Sequence, residues 1–189
     1  MSLIQSPHFI HLPNHIIAHA LMTTADKSQQ SAAVRALLVR TMDEFGIDGA
    51  LDDAQFPYRI FHDKPTQFVS FSHSTDCVAL IIGQTLCGID IENRSISPKV
   101  AARYYHANEL THLSALDDDT QARARNLLWS LKEAMIKYHQ GTLTQGMGAD
   151  FSLYIMPLLA TQDGVFSLAN HLTAYVNHRL NLVAVMDDD

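Results

Sequence analysis

Two short stretches about forty residues apart constrain this chain most: "GIDIE" (Gly88–Glu92) and "WSLKEAMIK" (Trp129–Lys137). The first reads as an apolar strand. Side chains alternate along a strand, so Asp90 and Glu92 share one face while Ile89 and Ile91 take the other. Two carboxylates on one face repel each other and are costly to desolvate unless a cation lies between them. Taken alone, a D-x-E strand is more commonly a sheet edge with one solvated face. The second stretch reads as a helix on which Glu133 and Lys137 are one turn apart, with Trp129 a turn earlier. A surface pair of that kind is worth only a few tenths of a kcal/mol. The flanking "LLWSL" and "AMI" make the helix mostly buried, however, and an acid there needs a strong partner.

Three carboxylates (Asp90, Glu92, Glu133) and two lysines (Lys132, Lys137) suit one kind of chemistry. A hard cation such as Mg²⁺ takes a few carboxylates plus phosphate oxygens, and lysines beside it match a phosphate or pyrophosphate. Spacing thus points to metal-assisted chemistry on a phosphate ester. Charge agrees with a specific ligand. The 189-residue chain carries a net charge of −7, which argues against general nucleic-acid binding. Yet seven of its thirteen Lys and Arg residues fall between 94 and 137. A locally basic middle suggests one anionic ligand or partner, although a solvated helical face accounts for it equally well.

Other classes are disfavoured. No apolar run is long enough to span a bilayer, and "MSLIQSPHFIHLPNHII" lacks the basic start and clean apolar core of a signal peptide. Cys77 and Cys87 form no metal or redox motif and are expected as buried free thiols in a reducing cytoplasm. Length and an apolar content of 47% fit one domain, or two small halves sharing a core.

Along the chain, Val34, Leu37, Leu38 and Met42 predict a helix over 28–45, stopped at Gly46. One strand is expected near Tyr58–Phe61, then short β-runs at 68–72, 77–82 and 86–91, the last two as a hairpin. Residues 98–116 read as one helix or two, with Pro98 at a helix start. A long helix follows "DDD", with acids first and Lys137 and His139 near its end, the order the helix dipole favours. "FSLYIM", "GVFSLAN", "LTAYVNH" and "NLVAVM" read as closing β-runs. An order of α, β, α, β joined by hairpins predicts an α+β fold. "FVSFSHSTDCVALII" and "LTAYVNHRLNLVAVM" echo each other faintly as strand–turn–strand, as a duplicated fold would.

"CGIDIE" followed by "WSLKEAMIK" resembles the paired signature of the 4′-phosphopantetheinyl transferases of the Sfp type: G-[IV]-D-x-E, then W-[ST]-x-K-E-[AS]-x-x-K. "KPTQFVSFSHS" and "VAARYYHANE" resemble two further family segments in the same order, so the likeness covers roughly residues 31 to 143. It implies a pseudo-twofold α+β fold, each half a small antiparallel sheet packed with helices, divided at 1–93 and 94–189, with the site in the cleft between. It implies transfer of 4′-phosphopantetheine from coenzyme A to a serine of an apo acyl or peptidyl carrier protein. Asp90, Glu92 and Glu133 match ligands of Mg²⁺ (or Mn²⁺), with Glu109 as a further acid. Lys132 and Lys137 match lysines that contact the phosphates, and Lys137 would neutralise the leaving phosphate. Lys64, Ser72 and His73 match the grip on the 3′-phosphate end of coenzyme A, and Glu133 would take the serine proton. A monomer is expected, because both halves of the site are on one chain. Lys99, Arg103, Arg123 and Arg125 are expected to dock an acidic carrier. An arginine common early in the family's first helix is replaced here by Gln30 or Ser31, so Lys27, Arg35 or Arg40 would take its contact. Two other classes fit the same residues: another Mg²⁺-dependent pyrophosphate enzyme, or a non-catalytic protein that binds carrier or coenzyme A. Asp90, Glu92 and Glu133 are expected to converge within one cation's reach.

Overall fold

The structure is a computed structural model that describes residues 2–23, 26–61 and 66–188, without the side chains of 144 and 145. Lys64 lies outside the described residues.

The fold is α+β, in four layers. The elements are β1 (His8–Leu12), β2 (His15–Leu21), α1 (Gln30–Phe45), β3 (Ala50–Asp52), β4 (Tyr58–Phe61), β5 (Gln67–Ser74), β6 (Cys77–Gly83) and β7 (Cys87–Ile91). They continue with α2 (Pro98–Tyr104), α3 (Ala107–Ser114), α4 (Asp118–Tyr138), α5 (Leu143–Gly146), α6 (Ile155–Ala160), β8 (Asp163–Leu168), β9 (Leu172–Asn177) and β10 (Leu182–Asp187). Pairing throughout is antiparallel. One sheet runs β1-β2-β6-β5-β4-β3 and the other β7-β10-β9-β8.

The burial of alternate residues explains the layering. In β6, Val78, Leu80 and Ile82 pack under Val34, Leu37 and Leu38 of α1. Cys77, Ala79 and Ile81 of the same strand face the other way, against Ile89, Ile91, Leu182, Ala184 and Met186 of the second sheet. The far face of that sheet, through Val183, Val185, Ala174 and Val176, carries Leu127, Leu128, Leu131 and Ala134 of α4. A strand covered on both faces reads as a continuous apolar run, which is why "CVALIIG" shows no alternation. Both cysteines are free and sit in the middle layer, where burial pushes the Cys77 thiol up to about 12 and raises that of Cys87.

Several elements fall where the sequence places them. The first helix ends at Gly46, which takes the left-handed φ of 59° and donates its N–H to Met42. The 98–116 stretch is two helices. Two expectations need correction. β6 and β7 are not a hairpin: both edges of β6 are already paired, with β2 and β5, so β7 crosses to the second sheet beside β10. β7, which precedes the expected division after residue 93, thus pairs with β10 of the C-terminal stretch. "FSLYIM" is a 3-10 turn leading into α6, because Phe151, Tyr154, Ile155 and Leu158 recur at helical spacing and pack against α4. Nearer the N-terminus, His8–Leu12 and His15–Leu21 form the β1–β2 hairpin, and β2 joins the first sheet next to β6. No helix among the described residues is long and apolar enough to cross a membrane.

Candidate active site

β7 and α4 meet closely enough to put the two motifs in one place. A Cβ built on Gly88 would lie 2.0 Å from the Ala134 carbonyl oxygen and 2.7 Å from the Tyr138 nitrogen, so only glycine lets the helix backbone lie on the strand. Two residues on, and hence on the same face, is Asp90. Its Oδ1 accepts from Lys137 Nζ at 3.0 Å. Lys137 Nζ also donates to the carbonyls of Ile89 (2.7 Å) and Phe71 (3.3 Å), bridging β7 and β5. The Phe71 carbonyl is open to it because β4 pairs with β5 only at Gln67–Val69.

The D-x-E face is thus turned toward α4, and Asp90 and Glu92 are both buried. Glu92 is held by Arg94: Nε to Oε1 at 3.1 Å, Nη2 to Oε2 at 2.8 Å, and the Arg94 backbone N–H to Oε1 at 2.9 Å. Burial alone would raise the Glu92 carboxyl, but the Arg94 hydrogen bonds and charge outweigh it and hold it below its ordinary value. Glu133 has the opposite balance. It is half-buried and has no hydrogen bond or ion pair among the described residues. Desolvation first, then the charge of Asp90, push its carboxyl up; Lys137 opposes them and Glu92 adds to them.

The three acids therefore share a neighbourhood, but they do not converge as expected. Among the described residues no three His, Cys, Asp or Glu side chains stand close enough to hold one metal ion. Two of the three are held by separate cations, Asp90 by Lys137 and Glu92 by Arg94. The donors still suit a hard cation, being carboxylate oxygens with one member, Glu133, left without a neutralising partner.

β5 contributes through its hydroxyls. Ser70, Ser72 and Ser74 accept from the backbone N–H groups of Ile89 (3.3 Å), Ile91 (3.1 Å) and Asn93 (2.9 Å). Ser72 Oγ donates to Asp90 Oδ1 at 2.9 Å and Ser74 Oγ to Glu92 Oε1 at 3.3 Å. Asn126 of α4 secures the loop after Glu92, accepting from the Ile96 N–H and donating to the Arg94 carbonyl.

An open cleft of about 400 Å³ lies over this centre, lined by Ser31, Arg35, Tyr58, Phe71, His73, Asp90 and Lys137, with Ser72 and Val34. Tyr58, Phe71 and Lys137 also border a second groove of about 450 Å³ that reaches Phe56, Ile136, Gln140 and Gly141. Of the three candidates for the missing helix arginine, Arg35 lines the cleft. It is braced by the Ser31 carbonyl and by an ion pair with Asp53. Gln30 instead donates to the Ser74 carbonyl, and Arg40 reaches the Gln5 carbonyl.

Other expected residues have different duties. Lys132 and Glu109 form an ion pair at 2.8 Å with both side chains fully buried. Lys132 Nζ also donates to the carbonyls of Met147 (2.7 Å) and Ala149 (2.6 Å) and lies over the rings of Tyr105 and Phe151. Glu109 accepts from the backbone N–H groups of His106 and Phe151. Each is enclosed and already satisfied, and neither lines the cleft; together they pin the 147–151 segment to α3 and α4. Lys132 and Lys137 are five apart, and a helix turns about 500° over five residues, so the two lysines leave on different sides. Arg125 is likewise buried, donating to the Ile96 carbonyl and Gln121, and is no part of a docking surface. Arg94, Ser74 and Asn126 were not legible as site residues. The one available signal was the period-two serines inside an apolar strand.

Comparison with known proteins agrees with the motifs. A family model for the 4′-phosphopantetheinyl transferase superfamily matches residues 86–184. The chain is similar to 4′-phosphopantetheinyl transferase Sfp of Bacillus subtilis (strain 168), 31% identical over 118 residues, covering 60% of this chain and 50% of that protein. It is similar to 4′-phosphopantetheinyl transferase gsp of Aneurinibacillus migulanus, 29% identical over 152 residues, 68% of this chain and 63% of that one. It also resembles 4′-phosphopantetheinyl transferase psf-1 of Bacillus pumilus, 32% identical over 105 residues, 55% and 42% of the two chains. The matches thus span about half the length of these relatives. A family match from β7 to β10 takes in both motifs whose meeting builds the cleft, and the chain belongs to the 4′-phosphopantetheinyl transferase superfamily.

Proposed function

We propose that this protein transfers the 4′-phosphopantetheine arm of coenzyme A to a serine hydroxyl of an apo carrier protein, releasing 3′,5′-ADP. The observation that carries this is the meeting of Asp90 and Lys137, one from each motif, at the floor of a cleft whose wall holds Arg35 and His73. In the reaction the serine oxygen bonds to the phosphorus that carries pantetheine, and the bridging oxygen leaves with 3′,5′-ADP. Glu133 suits the proton acceptor: among the described residues its carboxylate makes no hydrogen bond or ion pair that would hold it away from a hydroxyl. Lys137, paired with Asp90 and lining the cleft, would supply an ammonium to neutralise the departing phosphate. Arg35 and His73 offer charge and hydrogen bonds to the nucleotide end, and the groove past Tyr58 and Phe71 offers an apolar path for the pantetheine arm.

Asp90 and Glu133 would hold a divalent cation, Mg²⁺ or Mn²⁺, with Glu92 joining once Arg94 releases it. Such an ion would supply charge neutralisation for the pyrophosphate. Because both motifs lie on one chain, the site is complete in a monomer. The α1-covered β5–β6 hairpin and the α4-covered β9–β10 hairpin support a duplicated unit, with the join just before β7.

The test is mass spectrometry of a panel of apo-carriers incubated with coenzyme A and Mg²⁺. A gain of about 340 Da on one carrier, the size of the transferred cofactor arm, is the expected result. Coenzyme A cleaved with every carrier unmodified would make it a pyrophosphate hydrolase. Coenzyme A left whole on every carrier would leave a binding protein of the same fold.

A further inference from the structure

We infer that Ser72 and Ser74 are positioning residues for the two acids of β7, a role that rests on the transferase reading above. β7 is an edge strand of its sheet, and its outer edge faces no strand of that sheet. Buried backbone N–H groups must find acceptors, and here the hydroxyls at every second residue of β5 supply them: Ser70 to Ile89, Ser72 to Ile91, Ser74 to Asn93. All three serines are buried. The ladder therefore joins the two sheets through side chains rather than through backbone pairing.

A hydroxyl has one proton to give. Ser72 gives its proton to Asp90, and Ser74 gives its proton to Glu92. Each serine thereby clamps β7 twice, at a backbone N–H and at the carboxylate of the residue just before it. The clamp ties the rotamer of each acid to the register between the sheets. Ser72 consequently has no proton left for a phosphate of coenzyme A. Its part in the cleft is to orient Asp90, while His73, on the opposite face of β5, is free to meet the ligand. Ser70 provides an internal comparison, since it accepts from Ile89 but donates to no carboxylate among the described residues.

The experiment is Mn²⁺ titration followed by electron paramagnetic resonance, without coenzyme A or carrier, with thermal unfolding of every variant alongside. Loss of an outer partner of a metal ligand typically weakens affinity about 10- to 100-fold. Ser72→Ala and Ser74→Ala should show that loss, and Ser74→Thr, which keeps the hydroxyl, should recover most of it. Ser70→Ala should lower the unfolding temperature and leave the Mn²⁺ Kd within about twofold of wild type, well outside the range expected for a lost metal-ligand partner. Should Ser72→Ala fail to fold, Ser74→Ala, at the end of the strand, decides the matter. If Asp90→Asn weakens Mn²⁺ binding but neither a folded Ser72→Ala nor Ser74→Ala does, the positioning role is overturned and the metal site stands. If Asp90→Asn binds Mn²⁺ as wild type does, the proposed metal ligands are wrong and the inference falls with them.

Discussion

Gly88→Ala tests whether the glycine of "GIDIE" is there for packing. The added Cβ would lie 2.0 Å from the Ala134 carbonyl oxygen, where 3.0 Å is the least any real Cβ contact shows, so strand and helix must separate by about 1 Å. Both obstructing atoms, that oxygen and the Tyr138 nitrogen, are backbone, and no side-chain rotation relieves them. Overpacking costs typically about 1–3 kcal/mol, and a backbone clash belongs at the upper end. For a chain of this length about 3 kcal/mol corresponds to a fall of roughly 6–12 °C in Tm. The same displacement moves Glu133 and Lys137 off Asp90, and a misplacement of about 1 Å can cost about 100-fold in rate. Thermal unfolding by circular dichroism and the carrier mass assay read the two effects. A folded Gly88→Ala protein with Tm within about 2 °C of wild type and full transfer would refute the argument, since that shift is about 0.5–1 kcal/mol at this length.

Glu133→Gln should lower transfer by about 10²–10⁴-fold, the usual share of a general base, yet stabilise the metal-free protein at neutral pH. The Glu133 carboxyl is raised above its ordinary 4.5 on folding, so ionising it opposes the folded state. That penalty is absent at pH values below 4.5 and complete above the raised folded value; a variant no more stable than wild type at pH 7 contradicts it. Lys132→Met should cost about 3–5 kcal/mol in urea unfolding by stranding buried Glu109. A higher KM for coenzyme A at unchanged stability would return Lys132 to the ligand. Arg35→Ala and His73→Ala should each raise the coenzyme A KM about tenfold or more with kcat little changed, as loss of a ground-state contact does, and an unchanged KM places the nucleotide elsewhere. Reversing charge at exposed Arg103 and Arg123 should raise KM for the carrier far more than for coenzyme A; an unchanged carrier KM removes them from the docking surface.

Much of this molecule is written in local pattern. The α+β class, the first helix with its Gly46 stop, the β5–β6 hairpin, the closing strands and the long helix all follow from periodicity and turn residues. The pairing of "GIDIE" with "WSLKEAMIK" likewise named Asp90, Glu92, Glu133 and Lys137 before any geometry was known, because acids in apolar elements demand partners. Which partners they take is a different matter. Whether Lys132 or Lys137 faces Asp90 depends on the azimuth at which α4 lies on β7, set by the contact of Gly88 with Ala134. Lys132 leaves the other way and is consumed by Glu109. Strand pairing is equally non-local: nothing near β7 says that its neighbour is β10, ninety residues on, or that its other edge is closed by serine hydroxyls. Residue types and spacing set which chemistry is available. Only the packing of four layers decided which charges stand close enough to act and which are spent on holding the fold.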